Sequence, residues 1–483
     1  MGYWLRKRNI PEVTVLISLR NEQGVVILRK SLIVDKVKAY KIELPVLLAE
    51  LEWDKEQFTG SLELEVFSTR DMVFPYPAFV INFMSKYGIT AVHTTGRIYN
   101  DVEDMQGNVQ YKVPESGFDI HSGPGSDPFF SFVNGPFDNS GKVIRYEIID
   151  EQQQIVGGQI LPKSLLPYQT CFIYLRDHID IDRVLKGGKG TVRLWLDYEG
   201  FFTRIIAGNF NDKKAVSITH SFYDSSSVND KNAYQDNLSG QLHDSYVFIP
   251  VYIDDDFYTQ VIYYPIYSLS AYTMSLVFFD QEGNKLKELK EWKKFGKSDN
   301  VFFSVDINAL ALEFFTEAER SNIRGLMISN DWDGKNIPTR IKYGLNIGLK
   351  NRIYDLPTNI CFAPEIANPK ITQKPGTFKW APLLNSFESE IIITNCGSYK
   401  DYSRAASLSI DFFRELDDKV LHVDVTIAAY SQYVINAEKM ENVKSFLGGG
   451  TGWVTINSDN PFVNAWYFDF NRATGVVAGD HSF

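Results

Sequence analysis

The sequence predicts an all-β protein, a tandem array of antiparallel, jelly-roll-like β-sandwich repeats of about 130 residues with short helices. Three observations predict it. Ordered markers recur four times: an apolar strand running into a polar turn, an alternating strand, and a Gly that opens a further strand. The alternating strands begin at Tyr40, Cys171, Phe303 and Tyr433, at steps of 131, 132 and 130 residues, and the glycines are Gly60, Gly190, Gly325 and Gly452. Many short apolar runs are separated by turn residues, with little helical periodicity. The 34 Phe and 26 Tyr also suit half-buried pleated surfaces.

Within one copy, the first strand and turn are residues 13–24, 144–152, 276–283 and 408–417. With the next strand they form a hairpin. The alternating third strand follows: Tyr40/Ile42/Leu44, Cys171/Ile173/Leu175, Phe303/Val305/Ile307 and Tyr433/Ile435. Short amphipathic stretches at 44–51, 178–185, 310–319 and 438–447 hold good helix formers, which predicts one or two helical turns each. Each Gly-led strand then alternates apolar and polar residues, as a strand with one buried face does. A turn and a closing strand pair complete the copy.

The polar links place the repeats at 1–100, 113–224, 243–350 and 377–483. Copies 2 to 4 carry strand-like sequence ahead of their first marker (118–133, 246–264 and 378–394), and copy 1 lacks an equivalent. The first repeat is therefore expected to miss a strand and to cover its open edge with residues 101–114, another repeat or another subunit. A homo-oligomer formed through this repeat is one expected consequence.

Composition narrows the partners. Net charge is −11, from 60 acidic and 49 basic residues, with no basic stripe, so nucleic acid is not an expected partner. Three cysteines, Cys171, Cys361 and Cys396, do not make a disulfide framework. No apolar run approaches the ~20 residues of a membrane-spanning helix. The N-terminus lacks an apolar signal-peptide core, so a cytosolic protein or a virion component is expected.

Candidate chemistry is sparse. His93, His220 and His481 each end the last strand of a copy and precede a hydroxyl residue, and Asn346 is read as their counterpart in copy 3. Histidine titrates near neutrality, so a repeated ligand or proton-transfer site is one reading. The favoured reading is a buried residue whose hydrogen bonds tie a strand end to its neighbour. Gly187-Gly188-Lys189-Gly190 and the Gly448–Gly452 run resemble phosphate loops but lead from helix to strand, so they read as helix C-caps.

Asp254, Asp255 and Asp256 form a carboxylate cluster that suits Ca²⁺, as do Asp101, Glu103 and Asp104; an acidic surface loop is the alternative. The 331–336 segment resembles the start of a calcium loop but lacks its terminal Glu. Trp195 and Trp332 are the aromatic candidates for stacking on a ligand. No metalloprotease, paired-cysteine, nucleophile-elbow or dinucleotide signature occurs. No cofactor other than Ca²⁺ is suggested.

These features point to a non-catalytic binding or structural protein with a glycan or protein partner, in carbohydrate recognition or a surface or virion assembly. The alternatives are a carbohydrate-active enzyme using paired carboxylates and a scaffold for polysaccharide biosynthesis.

Overall fold

Alternation decides the first sheet. In β1 (Val13–Asn21), Val13, Val15, Ile17 and Leu19 are buried, and the strand pairs antiparallel with β2 (Val26–Val34) and β3 (Gly60–Ser68). A hairpin of β4 (Val80–Ser85) and β5 (Gly88–His93) follows. This computed structural model describes residues 11–69, 79–93, 115–223, 234–235 and 240–482, apart from 56, 124, 201–204, 298, 300, 335, 339 and 340. The expected cover 101–114 and the acidic residues Asp101, Glu103 and Asp104 lie outside the described residues.

The second repeat comprises β6 (Glu115–Ser116), β7 (Asp119–His121), β8 (Ser126–Val133), β9 (Ile144–Asp150), β10 (Ile155–Ile160), β11 (Thr170–Tyr174), β12 (Lys189–Trp195), β13 (Ile206–Asn211) and β14 (Ala215–His220). Short β15 (Phe222–Tyr223) and β16 (Tyr234–Gln235) lead to the third, with β17 (Ser245–Pro250), β18 (Phe257–Tyr263), β19 (Tyr272–Phe279), β20 (Lys285–Phe295), β21 (Phe303–Asp306), β22 (Gly325–Trp332), β23 (Ile337–Pro338), β24 (Tyr343–Leu349), β25 (Ile360–Phe362) and β26 (Glu365–Ile366). The fourth holds β27 (Thr377–Leu383), β28 (Glu388–Asn395), β29 (Ala406–Arg414), β30 (Val420–Ile427), β31 (Gln432–Asn436), β32 (Gly452–Ser458), β33 (Val463–Phe470) and β34 (Val477–His481).

The sheets repeat one topology. The first sheet of repeats 2 to 4 runs β10-β9-β12-β6, β20-β19-β22-β17 and β30-β29-β32-β27, and the second runs β11-β8-β13-β14, β21-β18-β24-β25 and β31-β28-β33-β34. The Gly-led strands β3, β12, β22 and β32 thus hold one place, beside the first strand of the hairpin. Apolar faces of the two sheets pack together, as in the repeat 2 core of Phe130, Phe132, Ile148, Val192 and Leu194. Short helices add side chains to the cores: Leu47 from Leu44–Glu50, Ile181 and Leu185 from Ile181–Leu185, Ile307 and Leu310 from Ile307–Phe314 (followed by Glu317–Arg320), and Val443 and Leu447 from Glu441–Leu447.

Gly448 (φ 58°) caps the Glu441–Leu447 helix. Lys186 (φ 50°), rather than a glycine, caps Ile181–Leu185. In repeat 1 the segment around Tyr40 is not a strand, a departure from the alternating pattern. No described strand occupies the place of β8 beside it, so the pattern lacks a ladder partner.

Each hairpin turn lands on another repeat. The Thr170 N–H donates to the Glu22 carbonyl at 3.0 Å, Gln432 N–H to the Gln281 carbonyl at 2.9 Å, and Ala39 N–H to the Arg414 carbonyl at 3.1 Å. Between repeats 2 and 3, Phe302 N–H donates to Gln153 Oε1 at 2.9 Å and Gln153 Nε2 donates back to the Phe302 carbonyl at 2.7 Å. The four donors, Ala39, Thr170, Phe302 and Gln432, immediately precede the markers Tyr40, Cys171, Phe303 and Tyr433. The contacts run 1 to 2, 2 to 3, 3 to 4 and 4 to 1, so the repeats close into a ring.

The last strands, β5, β14, β25 and β34, meet in the same cyclic order inside the ring. All six residues of β5 are buried. Ile89 and Ala91 enter the core of repeat 4, while Val92 packs on Phe129 and Ile218 of repeat 2.

Candidate functional site

Strand register explains why three histidines from distant positions arrive together. His93 pairs with Val80, His220 with Ile206 and His481 with Trp466, each at the end of its repeat's last strand. In repeats 2 to 4 the next strand inward aligns Ser131, Ile262 and Ile392. That alignment places Cys361, paired with Gly344, at the fourth equivalent position. Asn346 is a correction: it lies on β24, the penultimate strand, where its Nδ2 donates to Asp119 Oδ2 at 3.1 Å. The connection before β25 spans residues 350–359, against 212–214 in repeat 2, which misleads a count along the sequence.

Because the last strands converge inside the ring, their ends converge too. The His93 and His220 rings are 4.0 Å apart between centroids, His93 and His481 5.2 Å, and His220 and His481 6.3 Å. Asp480 joins them: one potential ligand atom from each of His93, His220, Asp480 and His481 lies within 4.8 Å of all the others. Among the described residues this is the one such group, and it does not include Cys361. His220 is 1% exposed, Asp480 4% and His93 9%.

Hydrogen bonds settle the ring tautomers. His220 Nδ1 lies 3.2 Å from the Ser221 carbonyl and His481 Nδ1 lies 3.0 Å from the Ser482 carbonyl. A carbonyl only accepts, so both Nδ1 atoms carry the proton and Nε2 holds the lone pair. His93 Nδ1 donates to Asp480 Oδ2 at 2.8 Å, which leaves the same arrangement in the third ring. The following serines hold these carbonyls in place. Ser221 N–H donates to the Ile205 carbonyl and Ser482 N–H to that of Ala465, both at 2.8 Å. The Ser221 and Ser482 hydroxyls accept from the Ile205 and Ala465 amides in return, at 3.2 and 3.1 Å.

Burial pushes the Asp480 carboxyl upward, but the neighbouring imidazoles of His93 and His481 and the hydrogen bonds from the His93 ring and the His481 backbone N–H outweigh it and hold Asp480 below its usual range. Burial holds His481 below the usual imidazole range against the opposing pull of Asp480. Asp480 Oδ1 also accepts from the His481 backbone N–H at 2.8 Å, which makes the carboxylate the organiser of two histidines.

His93 and His220 are buried and His481 half-buried, and each ring hydrogen-bonds at the end of its strand. Sequence reasoning missed the meeting of the three and the part of Asp480. Its one available signal was the common repeat position, which brings residues together once repeats close into a ring.

The other candidates go elsewhere. Trp332 is buried in the repeat 3 core, stacked on Tyr272 at 4.8 Å with its Nε1 donating to Ser268 Oγ at 3.0 Å, so it is no ligand platform. Trp195 is half-buried, with the Arg145 guanidinium 5.6 Å from its ring centroid. Asp254 Oδ1 accepts the Asp256 and Phe257 amides, while Asp256 pairs with Arg352 at 2.9 Å and Arg472 at 3.4 Å. Asp254, Asp255 and Asp256 therefore do not present a converging oxygen cage for Ca²⁺; they form a turn fastened to arginines. No protein-family model matches the chain, and a search of curated proteins finds no match.

Proposed function

We propose that this protein is a non-catalytic structural unit of a larger protein assembly: a closed ring of four β-sandwich repeats that docks a partner's β-strand on its first repeat. The observation that carries this reading is the strand pairing of that repeat among the described residues. Among the described residues, β3 pairs only with β1, and β4 only with β5. Corresponding first-sheet strands of the other repeats have a further partner, β6, β17 or β27. Leu62 and Phe67 of β3, and Ile81, Phe83 and Met84 of β4, are exposed. A sheet edge lined by exposed apolar side chains recruits a strand from another chain, since a ladder and apolar burial then form together.

The test is mass in solution as a function of concentration, with and without Phe83→Lys and Met84→Glu. We expect the native chain to associate, with itself or with its assembly partner, and the charged variants to lose at least tenfold in affinity with an unchanged unfolding midpoint. Full association by the variants would overturn the docking edge.

A further inference from the structure

We propose that His93, His220 and His481 bind one divalent transition-metal ion of the zinc class through their Nε2 atoms, at the centre of the ring, and that the ion clasps repeats 1, 2 and 4 together. Geometry and donor chemistry carry this. One potential ligand atom from each of the three histidines and Asp480 already lies within 4.8 Å of the others. Two nitrogens on one tetrahedral zinc stand about 3.4 Å apart, from Zn–N bonds of about 2.05 Å, so the group closes by roughly 1.4 Å on binding. His481 Nε2 and Asp480 Oδ1 are 3.9 Å apart, so a negative charge stands beside the third histidine.

The tautomers also match. A metal-bound imidazole donates its other N–H to a carboxylate or a backbone carbonyl, which fixes the ring and raises its basicity. Here His93 has the Asp480 carboxylate, and His220 and His481 have the Ser221 and Ser482 carbonyls. Two repeats use the same serine device at the same register, so the orientation is built twice.

Donor type selects the ion. Three neutral imidazoles suit zinc, copper, nickel or iron, whereas Ca²⁺ and Mg²⁺ require oxygen shells. The single buried carboxylate of Asp480 offsets part of the dication's charge, which a site this buried requires. The competing account is a hydrogen-bonded histidine cluster with no ion. It needs the carboxylate–His93 pair, but it does not require His220 and His481 to share one tautomer and one meeting point.

The position defines the consequence. The ligands come from strands 127 and 261 residues apart in sequence. An ion joining them cross-links the ring where β5 is held between repeats 2 and 4, and it resists opening of that junction.

The experiment uses the full chain without a histidine tag, stripped by chelator and titrated with Co²⁺ as a spectroscopic probe, then with Zn²⁺. We expect one Co²⁺ per chain with visible ligand-field bands, displacement by Zn²⁺, and a rise in the unfolding midpoint. His220→Asn should lose at least tenfold in affinity, and Asp480→Asn about 10–100-fold, as for orienting partners of metal-bound histidines. His422→Asn is the control: this exposed histidine sits 2.7 Å from Asp411 and 3.1 Å from Asp424, and its loss should leave the titration unchanged. X-ray absorption of the zinc-loaded native chain should report three imidazole ligands, a reading that does not depend on any variant folding. Absence of saturable micromolar uptake, equal uptake by folded His220→Asn, or an oxygen-only shell would each overturn the proposal.

Discussion

At the scale of single residues, the turn glycines separate two costs that are usually confounded. Gly24 and Gly283 have φ values of 83° and 90°, and Gly141 has 84°, so any side chain is strained at all three. A Cβ on Gly24 would lie 2.4 Å from the Pro167 carbonyl, and one on Gly283 2.3 Å from that of Ala429, while Gly141 has open space. Both crowded contacts are repeat-to-repeat contacts of the ring. Gly141→Ala should therefore cost about 1 kcal/mol, and Gly24→Ala and Gly283→Ala about 2–4 kcal/mol, in denaturant unfolding. Equal costs at the three sites would show that the turns do not press on the neighbouring repeat.

Two further residues set a pH dependence. Burial holds His121 below the usual imidazole range, aided by Lys189 and opposed by Asp119 and Asp355. Burial also lowers His243, aided by Lys400 and opposed by Asp331 and Glu288. The folded chain then refuses a proton that the unfolded chain accepts near pH ~6.5. This part of the stability is present above that pH and is lost as pH falls below it. Urea midpoints should decline between pH 7.5 and 5.5, and the double variant His121→Asn, His243→Asn should flatten that decline. An unchanged slope would contradict the assignment.

At the scale of elements, β5 is the informative strand. Alternation normally gives a strand one buried face, yet every residue of β5 is buried because repeats 2 and 4 cover opposite sides. Ile89 faces repeat 4 and Val92 faces repeat 2. Ile89→Ala should cost about 2–5 kcal/mol. Hydrogen exchange should then quicken first in β34, whereas Val92→Ala should quicken it first in β14. The same loss of protection in both strands would mean that β5 belongs to one undivided core.

Much of the element level was legible beforehand. Alternating apolar residues mark β1 and β12, and Gly60, Gly190, Gly325 and Gly452 mark strands with one place in the topology. The Tyr40 segment shows the limit. Its pattern is that of a strand, but a strand exists only as half of a pair, and no described partner lies beside it.

At the scale of the whole molecule, closure governs behaviour. Each repeat touches two others through its hairpin turn and the residue before its Tyr40, Cys171, Phe303 or Tyr433 marker, and the cycle ends where it began. An open solenoid frays from its ends. A closed ring should instead unfold in one transition, with calorimetric and van't Hoff enthalpies in agreement. Two separated transitions, with repeat 1 melting first, would show that the contact of Ala39 with Arg414 does not close the ring energetically.

Taken by itself, the amino-acid sequence determined the all-β class, the order of strands within a repeat, the positions of the short helices and the special standing of His93, His220 and His481. These follow from local patterns: side-chain period, turn residues and spacing along the chain. Tertiary structure alone decided that the repeats close on themselves, that Cys361 rather than Asn346 is the fourth equivalent position, and that Asp480 orients His93. It also decided that Trp332 and Asp256 were already committed, one to a core and the other to arginines. The physical reason is that these depend on which surfaces meet. Contacts between residues hundreds of positions apart are set by packing of whole sheets, and no local period records them.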